Sequence, residues 1–241
     1  MRKTSALQKI QSCVLVRKAA PHLSRVRRVY ISITEQVPAA QSFSEQERPW
    51  KQEEFMRSRG MELALAAVEP KPGDLVMSSD VDEIVHPEYL MDLKHCTGYE
   101  APQKKLTRVN FIMDLHYYSF KCRHSKKNFW SAVNGILWPS TPLSKERFAS
   151  LRGGGGVPAT LTFLDSGWHC SSCFHTLADF RNKIVSFSHT EFGSVQLFQT
   201  KAHLVSVVRK CIDLFDRPAE TYMFVEPEAP PYVMAHADTF D

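Results

Sequence analysis

An α/β fold is predicted by three features of the 241-residue sequence. Strong helix formers over residues 48–69 end at Pro70-Lys-Pro-Gly73 and are followed at once by a short apolar strand, Asp74-Leu-Val-Met-Ser78. That strand runs into an acidic turn, Ser79-Asp-Val-Asp-Glu-Ile84, and Pro87 permits a further helix over residues 88–94. Two longer runs of β-branched and aromatic residues, 106–120 and 128–137, are suited to pair as antiparallel strands closing one side of the sheet. In such alternating chains the loop at a strand's carboxyl end is the usual ligand position, which draws attention to the acidic turn.

Taken in order, Arg27-Val-Tyr-Ile-Ser-Ile-Thr34 alternates polar and apolar residues as a strand does. In the helix at 48–69, Phe55, Met56, Leu63 and Leu65 are the buried candidates. Tyr117, Tyr118, Phe129, Trp130 and Trp138 suit core and cleft wall better than a stacking platform for bases. The run Gly153-Gly-Gly-Gly156 lacks the preceding strand and the terminal Lys-Ser/Thr of a phosphate-cradling loop, so it is expected to be a flexible connection. Residues 175–187 and 201–215 are predicted helical, with Ala178, Phe180 and Ile184 on one face of the first and Leu204, Val208 and Ile212 on one face of the second. The expected organisation is a basic segment (1–26), one globular domain (27–225) and a proline-rich extended tail (226–241).

At 43% hydrophobic and 23% charged, with 10 glycines and 14 prolines, the composition excludes wholesale disorder and collagen-like architecture. The balance of 30 basic against 26 acidic side chains is too even to suggest nucleic acid as a partner. The excess is concentrated at the start, where every charged residue before Glu35 is basic. No stretch approaches the ~18 consecutive apolar residues of a membrane span, so no span and a soluble chain are expected. The opening segment, interrupted by Gln8, Lys9, Gln11 and Ser12, lacks a signal-peptide core. Six cysteines are too few to staple a chain of this length, and by themselves leave the compartment open.

Three segments carry candidate chemistry. Asp80 and Asp82, at i and i+2, can point the same way and together hold one divalent cation, which in turn can bridge a diphosphate. The alternative is a solvated turn or a cap for the next helix. In Asp165-Ser-Gly-Trp-His-Cys-Ser-Ser-Cys-Phe174 the Cys-x-x-Cys flanked by His169 and His175 invites a zinc reading. No second pair at finger spacing accompanies it, which favours a structural or disulfide pair. Ser186-Phe-Ser-His-Thr-Glu191 sets His189 and Glu191 just beyond a helix.

Taken together, SDVDEI after an apolar strand, DSGWHCSSCF, KIVSFSHTEF and CIDLFDRPAETY resemble glycosyltransferase family 17 over roughly residues 27–226. That family contains the β-1,4-mannosyl-glycoprotein 4-β-N-acetylglucosaminyltransferases, which make the bisecting branch of N-glycans. The resemblance implies a GT-A-like sheet flanked by helices, a UDP-N-acetylglucosamine donor, an N-glycan acceptor, inversion at the anomeric carbon, a divalent ion that is usually manganese, and the Golgi lumen. It implies that Asp80 and Asp82 hold the metal and the diphosphate, with His189 completing the metal shell. Glu83 would orient the turn or the ribose, and Asp165 would act as the base that deprotonates the acceptor hydroxyl. Trp168 and His169 would shape the sugar pocket, although a buried core role for Trp168 stands beside this. Glu191 is a further candidate on the substrate side, and Trp50, Glu54 and Arg57 resemble an upstream pattern that is either structural or donor-side.

Members of the family usually carry further strands and a membrane anchor ahead of the segment matching 27–34, so a domain without its first strands is expected here. Two readings follow: an active metal-dependent N-acetylglucosaminyltransferase, or a catalytically compromised or truncated relative that retains the fold as a binding protein. Retention of Asp80, Asp82, Asp165 and His189 favours the enzyme.

Overall fold

The computed structural model describes residue 44 and residues 47–96, 107–138, 160–186 and 188–236. The strand expected at 27–34, the basic segment and the glycine run lie outside the described residues. The elements are α1 (Glu47–Val68), β1 (Leu75–Ser78), β2 (Glu83–Val85), α2 (Pro87–His95), β3 (Thr107–Tyr117), β4 (Ser119–His124), β5 (Trp130–Leu137), β6 (Leu161–Phe163) and β7 (Gly167–Ser171). They are followed by α3 (Leu177–Ser186), a short α4 (Thr190–Gly193), a 3-10 turn (Gln196–Gln199), α5 (Lys201–Lys210), β8 (Tyr222–Phe224) and α6 (Pro231–Ala235).

The sheet is mixed and curls about β3, which is its hub rather than one side of it. Along one edge β3 pairs antiparallel with β5, and β5 with β1. Along the other, β3 runs parallel first to β6 and then to β7, which carries β2 at its margin. A register shift between Phe111 and Met113 bends β3, and beyond it the strand pairs with β4, which carries β8. A hub strand is covered on both faces, so Thr107, Arg108, Val109, Asn110 and Phe111 are buried in succession. The polar members are satisfied across the sheet, where the Asn134 Oδ1 accepts Arg108 Nε and Asn110 Nδ2, each at 2.9 Å.

Helices cover both faces. Tyr89, Leu90 and Leu93 of α2 pack on Val109, Phe111 and Val133, while Met61 and Leu65 of α1 pack with Trp138 on Ile136 across the sheet. No α1 residue is fully buried, so Phe55, Met56, Leu63 and Leu65 form a half-covered face rather than core. A further cluster joins Tyr117, Tyr118 and Cys122 to Phe180 and Ile184 of α3 and Leu204 and Val207 of α5. Ala178 is exposed, and Leu177 packs in its stead. The second predicted helix ends at Lys210, before Ile212, because Cys211 turns left-handed (φ 52°) and is bonded to Cys122. The tail is not wholly extended, since it holds α6, and Ala229 is buried. Among the described residues no helix is long and apolar enough to cross a membrane.

Candidate active site

The acidic turn leaves β1 and is closed by a hydrogen bond from Glu83 N–H to the Asp80 carbonyl (3.1 Å). Its four side chains have three destinations: Val81 is wholly exposed, Asp80 and Asp82 line a cavity, and Glu83 is buried behind them. Both oxygens of Glu83 are engaged, one by Trp130 Nε1 and the other by the Asp80 amide, each at 2.6 Å. Glu83 thereby fastens the turn. The Asp82 carbonyl also accepts the Cys170 amide at 2.9 Å, which ties the turn to β7.

The cavity, about 1030 Å³, lies between α1, the sheet and α3. From α1, Trp50, Glu53, Glu54 and Arg57 reach it at helical spacing, one face of one helix. Arg57 donates to Asp80 at 3.0 Å and pairs with Glu53 at 2.8 Å, and Glu53 also accepts the Ser188 hydroxyl. From the sheet come Trp130 and His169, whose rings lie 4.1 Å apart. His169 Nε2 is 3.4 Å from Asp82, and its Nδ1 is buried without a partner. Burial opposes ionisation of Asp82, but the adjacent His169 and the charge of Lys183 outweigh it and hold the carboxyl below its ordinary range.

The far end is built by residues 213–222. Asp213 is buried and its carboxylate accepts the amides of Phe215 and Arg217 and both Nε and Nη2 of the Arg217 guanidinium, so Arg217 faces the cavity already neutralised. Phe215, Tyr222, Tyr117 and Phe129 give this end aromatic walls.

The sequence-predicted residues divide. Asp80, Asp82, Arg57, His169 and His189 share the cavity. Within it His189 sits 2.7 Å from Glu191 and edge-on to Trp50 (4.5 Å between rings). Glu191 faces a smaller depression with Glu47, Trp50 and Lys51. Trp168 takes the core role, because alternation along β7 turns it away from His169 and onto the His86 ring at 3.8 Å.

Asp165 does not line the cavity. It occupies the corner between β6 and β7 with φ 48°, where its amide and carboxylate clasp Asn128 Oδ1 and Nδ2 at 2.6 and 3.0 Å. Gly167 completes that corner, since a Cβ there would stand 2.1 Å from the Ile84 carbonyl oxygen. The Cys-x-x-Cys is a disulfide, Cys170–Cys173, and not half a metal site. Glu53, Lys183, Ser188 and Arg217 were not singled out from sequence. A signal existed for Lys183, which sits between Phe180 and Ile184 on the inward stripe of an amphipathic helix.

The site is thus two aspartates on a turn at a strand's end of an α/β domain, opening onto a polar and aromatic cavity. The sequence model of glycosyltransferase family 17 matches residues 15–228; the chain belongs to that family, and its role is that of a glycosyltransferase. Comparison with curated proteins and with solved structures found no match.

Proposed function

We propose that the chain transfers N-acetylglucosamine from UDP-N-acetylglucosamine to a β-linked mannose of an N-glycan, forming a β-1,4 linkage with inversion. The observation that carries this reading is the joint orientation of Asp80 and Asp82 into one cavity, with Glu83 locked behind them.

Two carboxylate ligands are the donor chemistry of a hard divalent cation such as manganese, which takes few protein ligands and fills its shell from substrate oxygens and water. Among the described residues no group of three or more His, Cys, Asp or Glu is gathered for a metal. Asp80 and Asp82 would hold the ion, and the chemistry it would supply there is to offset charge on the departing diphosphate. The chain's own residues supply the rest. The acceptor hydroxyl attacks the anomeric carbon, its proton passes to a carboxylate, and the bond to the diphosphate breaks. Glu53, Glu54 and Glu220 line the cavity and are better placed to take that proton than Asp165. The aromatic far end suits the apolar faces of acceptor sugars. The Cys122–Cys211 and Cys170–Cys173 disulfides fit an oxidising compartment, in keeping with the Golgi lumen.

The test is calorimetric titration of UDP with and without manganese into the wild-type chain and Asp80→Ala/Asp82→Ala, followed by a transfer assay with UDP-N-acetylglucosamine and an N-glycan. Manganese-dependent UDP binding that disappears in the folded double variant is expected. Equal UDP binding by both proteins would overturn the donor-site reading.

A further inference from the structure

We propose that Lys183 is the cavity's anion-holding residue, whose ammonium receives the diphosphate of the donor nucleotide as it leaves. This rests on the donor-site reading above and adds to it a residue that the acidic turn does not imply.

Lys183 projects from the inward face of α3 into the cavity, between two core residues, Phe180 and Ile184. Its ammonium forms no hydrogen bond or ion pair among the described residues. The ring of Phe174 lies 5.6 Å away, a weak contact for a charge drawn out of water. The cavity's two arginines differ in this respect. Arg57 is closed on Glu53 and Asp80, and Arg217 on Asp213, whereas the charge of Lys183 is left facing the cavity.

The acidic turn lines the same cavity. Burial pushes the Lys183 ammonium down from its ordinary range, and the charges of Asp82 and Asp80 act against that shift. Lys183, Asp80 and Asp82 thus line one cavity with no hydrogen bond or ion pair joining the lysine to either aspartate among the described residues. An unpartnered, half-buried ammonium is costly, and an entering anion supplies the partner the protein leaves out. A diphosphate is the anion this lining would suit, since Asp80 and Asp82 would hold a divalent ion that offsets its charge and Lys183 would donate it a hydrogen bond. When the acceptor oxygen bonds to the anomeric carbon, the electron pair of the breaking carbon–oxygen bond passes to the diphosphate. Lys183 stabilises that added charge and keeps its own proton.

A lysine that merely balances the acidic turn predicts a different response from one that holds the diphosphate. We would measure manganese alone by paramagnetic resonance, then UDP at saturating manganese by calorimetry, for wild type, Lys183→Met, Lys183→Gln and Lys183→Arg. Losing a hydrogen bond to a charged group should weaken UDP binding by roughly 10- to 100-fold in Lys183→Met. Manganese alone should bind that variant equally well or more tightly, because a repelling charge is gone, and Lys183→Arg should recover most of the UDP affinity.

Wild-type UDP affinity in Lys183→Met would overturn the assignment while leaving the donor site intact. A parallel loss of manganese and UDP binding would also overturn it, since the role would then be structural. If the wild-type protein itself fails to bind UDP with manganese, the donor-site reading falls and this inference with it. Should Lys183→Met not fold, Lys183→Gln against Lys183→Arg answers by the same criteria.

Discussion

The acidic turn at residues 80–83 and the corner at Asp165 are built from similar parts and used in opposite ways. Each places a carboxylate at a loop beside β7, and each is fixed by a residue from the segment at the start of β5, Trp130 for the turn and Asn128 for the corner. At the turn the buried Glu83 carboxylate accepts Trp130 Nε1 and the Asp80 amide, while the side chains of Asp80 and Asp82 line the cavity, beside Arg57 and His169. At the corner the one available carboxylate is itself the fastening, clasped by Asn128 and held at positive φ away from the cavity. A carboxylate becomes available to a ligand here when a neighbour has taken over the structural task.

The most direct way to break this contrast is to remove each side's acid. Asp80→Ala/Asp82→Ala should lower transfer by about two to three orders of magnitude, the usual cost of deleting groups that stabilise developing charge. Asp165→Asn should leave turnover within about threefold, as expected for a residue outside the reacting groups. Steady-state kinetics on folded proteins decides. A collapse of kcat in Asp165→Asn with unchanged melting would show that the corner reaches the reaction after all.

Acid should act through a buried imidazole of the hub strand, behind the cavity residue His169. His116, on β3 beside Asp114, faces Arg123 from β4 and His169 from β7, and burial pushes its imidazole down to about 4. In the unfolded chain the ring takes its proton near its ordinary value of about 6.5. As pH falls below that, the unfolded state binds a proton the native state refuses, and stability declines until the buried ring also titrates near 4. Above the unfolded value the contribution is constant. A loss of order 3 kcal/mol between those limits follows, measurable by urea unfolding across the range. His116→Gln should flatten this part of the profile; an unchanged slope would place the acid sensitivity elsewhere.

The contrast also accounts for what the sequence disclosed. The order helix, strand, acidic turn, helix was legible because proline and glycine punctuate it and its hydrogen bonds are local. The curl about β3 was not, since it depends on parallel pairing with β6 and β7, roughly fifty residues away, and on a register shift that leaves no compositional mark. Strand β4 was missed because Lys121 and Arg123 dilute its apolar pattern. Asp80 and Asp82 could be picked out because their relevance follows from spacing. The role expected of Asp165 follows from the family resemblance, whereas its position is decided by a left-handed backbone and a partner from a different strand segment. Lys183 was overlooked for the converse reason, as a charge on a buried stripe has meaning only when the facing element is known.

Two smaller substitutions sharpen the comparison from behind. Trp130→Phe keeps an aromatic ring but is smaller and deletes the indole N–H that donates to the buried Glu83 carboxylate. It should cost about 2 kcal/mol in urea unfolding and loosen the turn enough to weaken UDP binding as well. At the corner, Asn128→Gly preserves the freedom to hold positive φ (52° here) while removing both side-chain bonds to Asp165. About 1 kcal/mol of stability should be lost, with UDP affinity unchanged, because nothing that Asn128 fastens faces the cavity. A stability loss with constant affinity would mark the corner as fastening alone. An affinity that falls in step with stability would mean that Asn128, next but one to Trp130 in the chain, transmits strain from one acidic loop to the other, and the two could no longer be treated as separate.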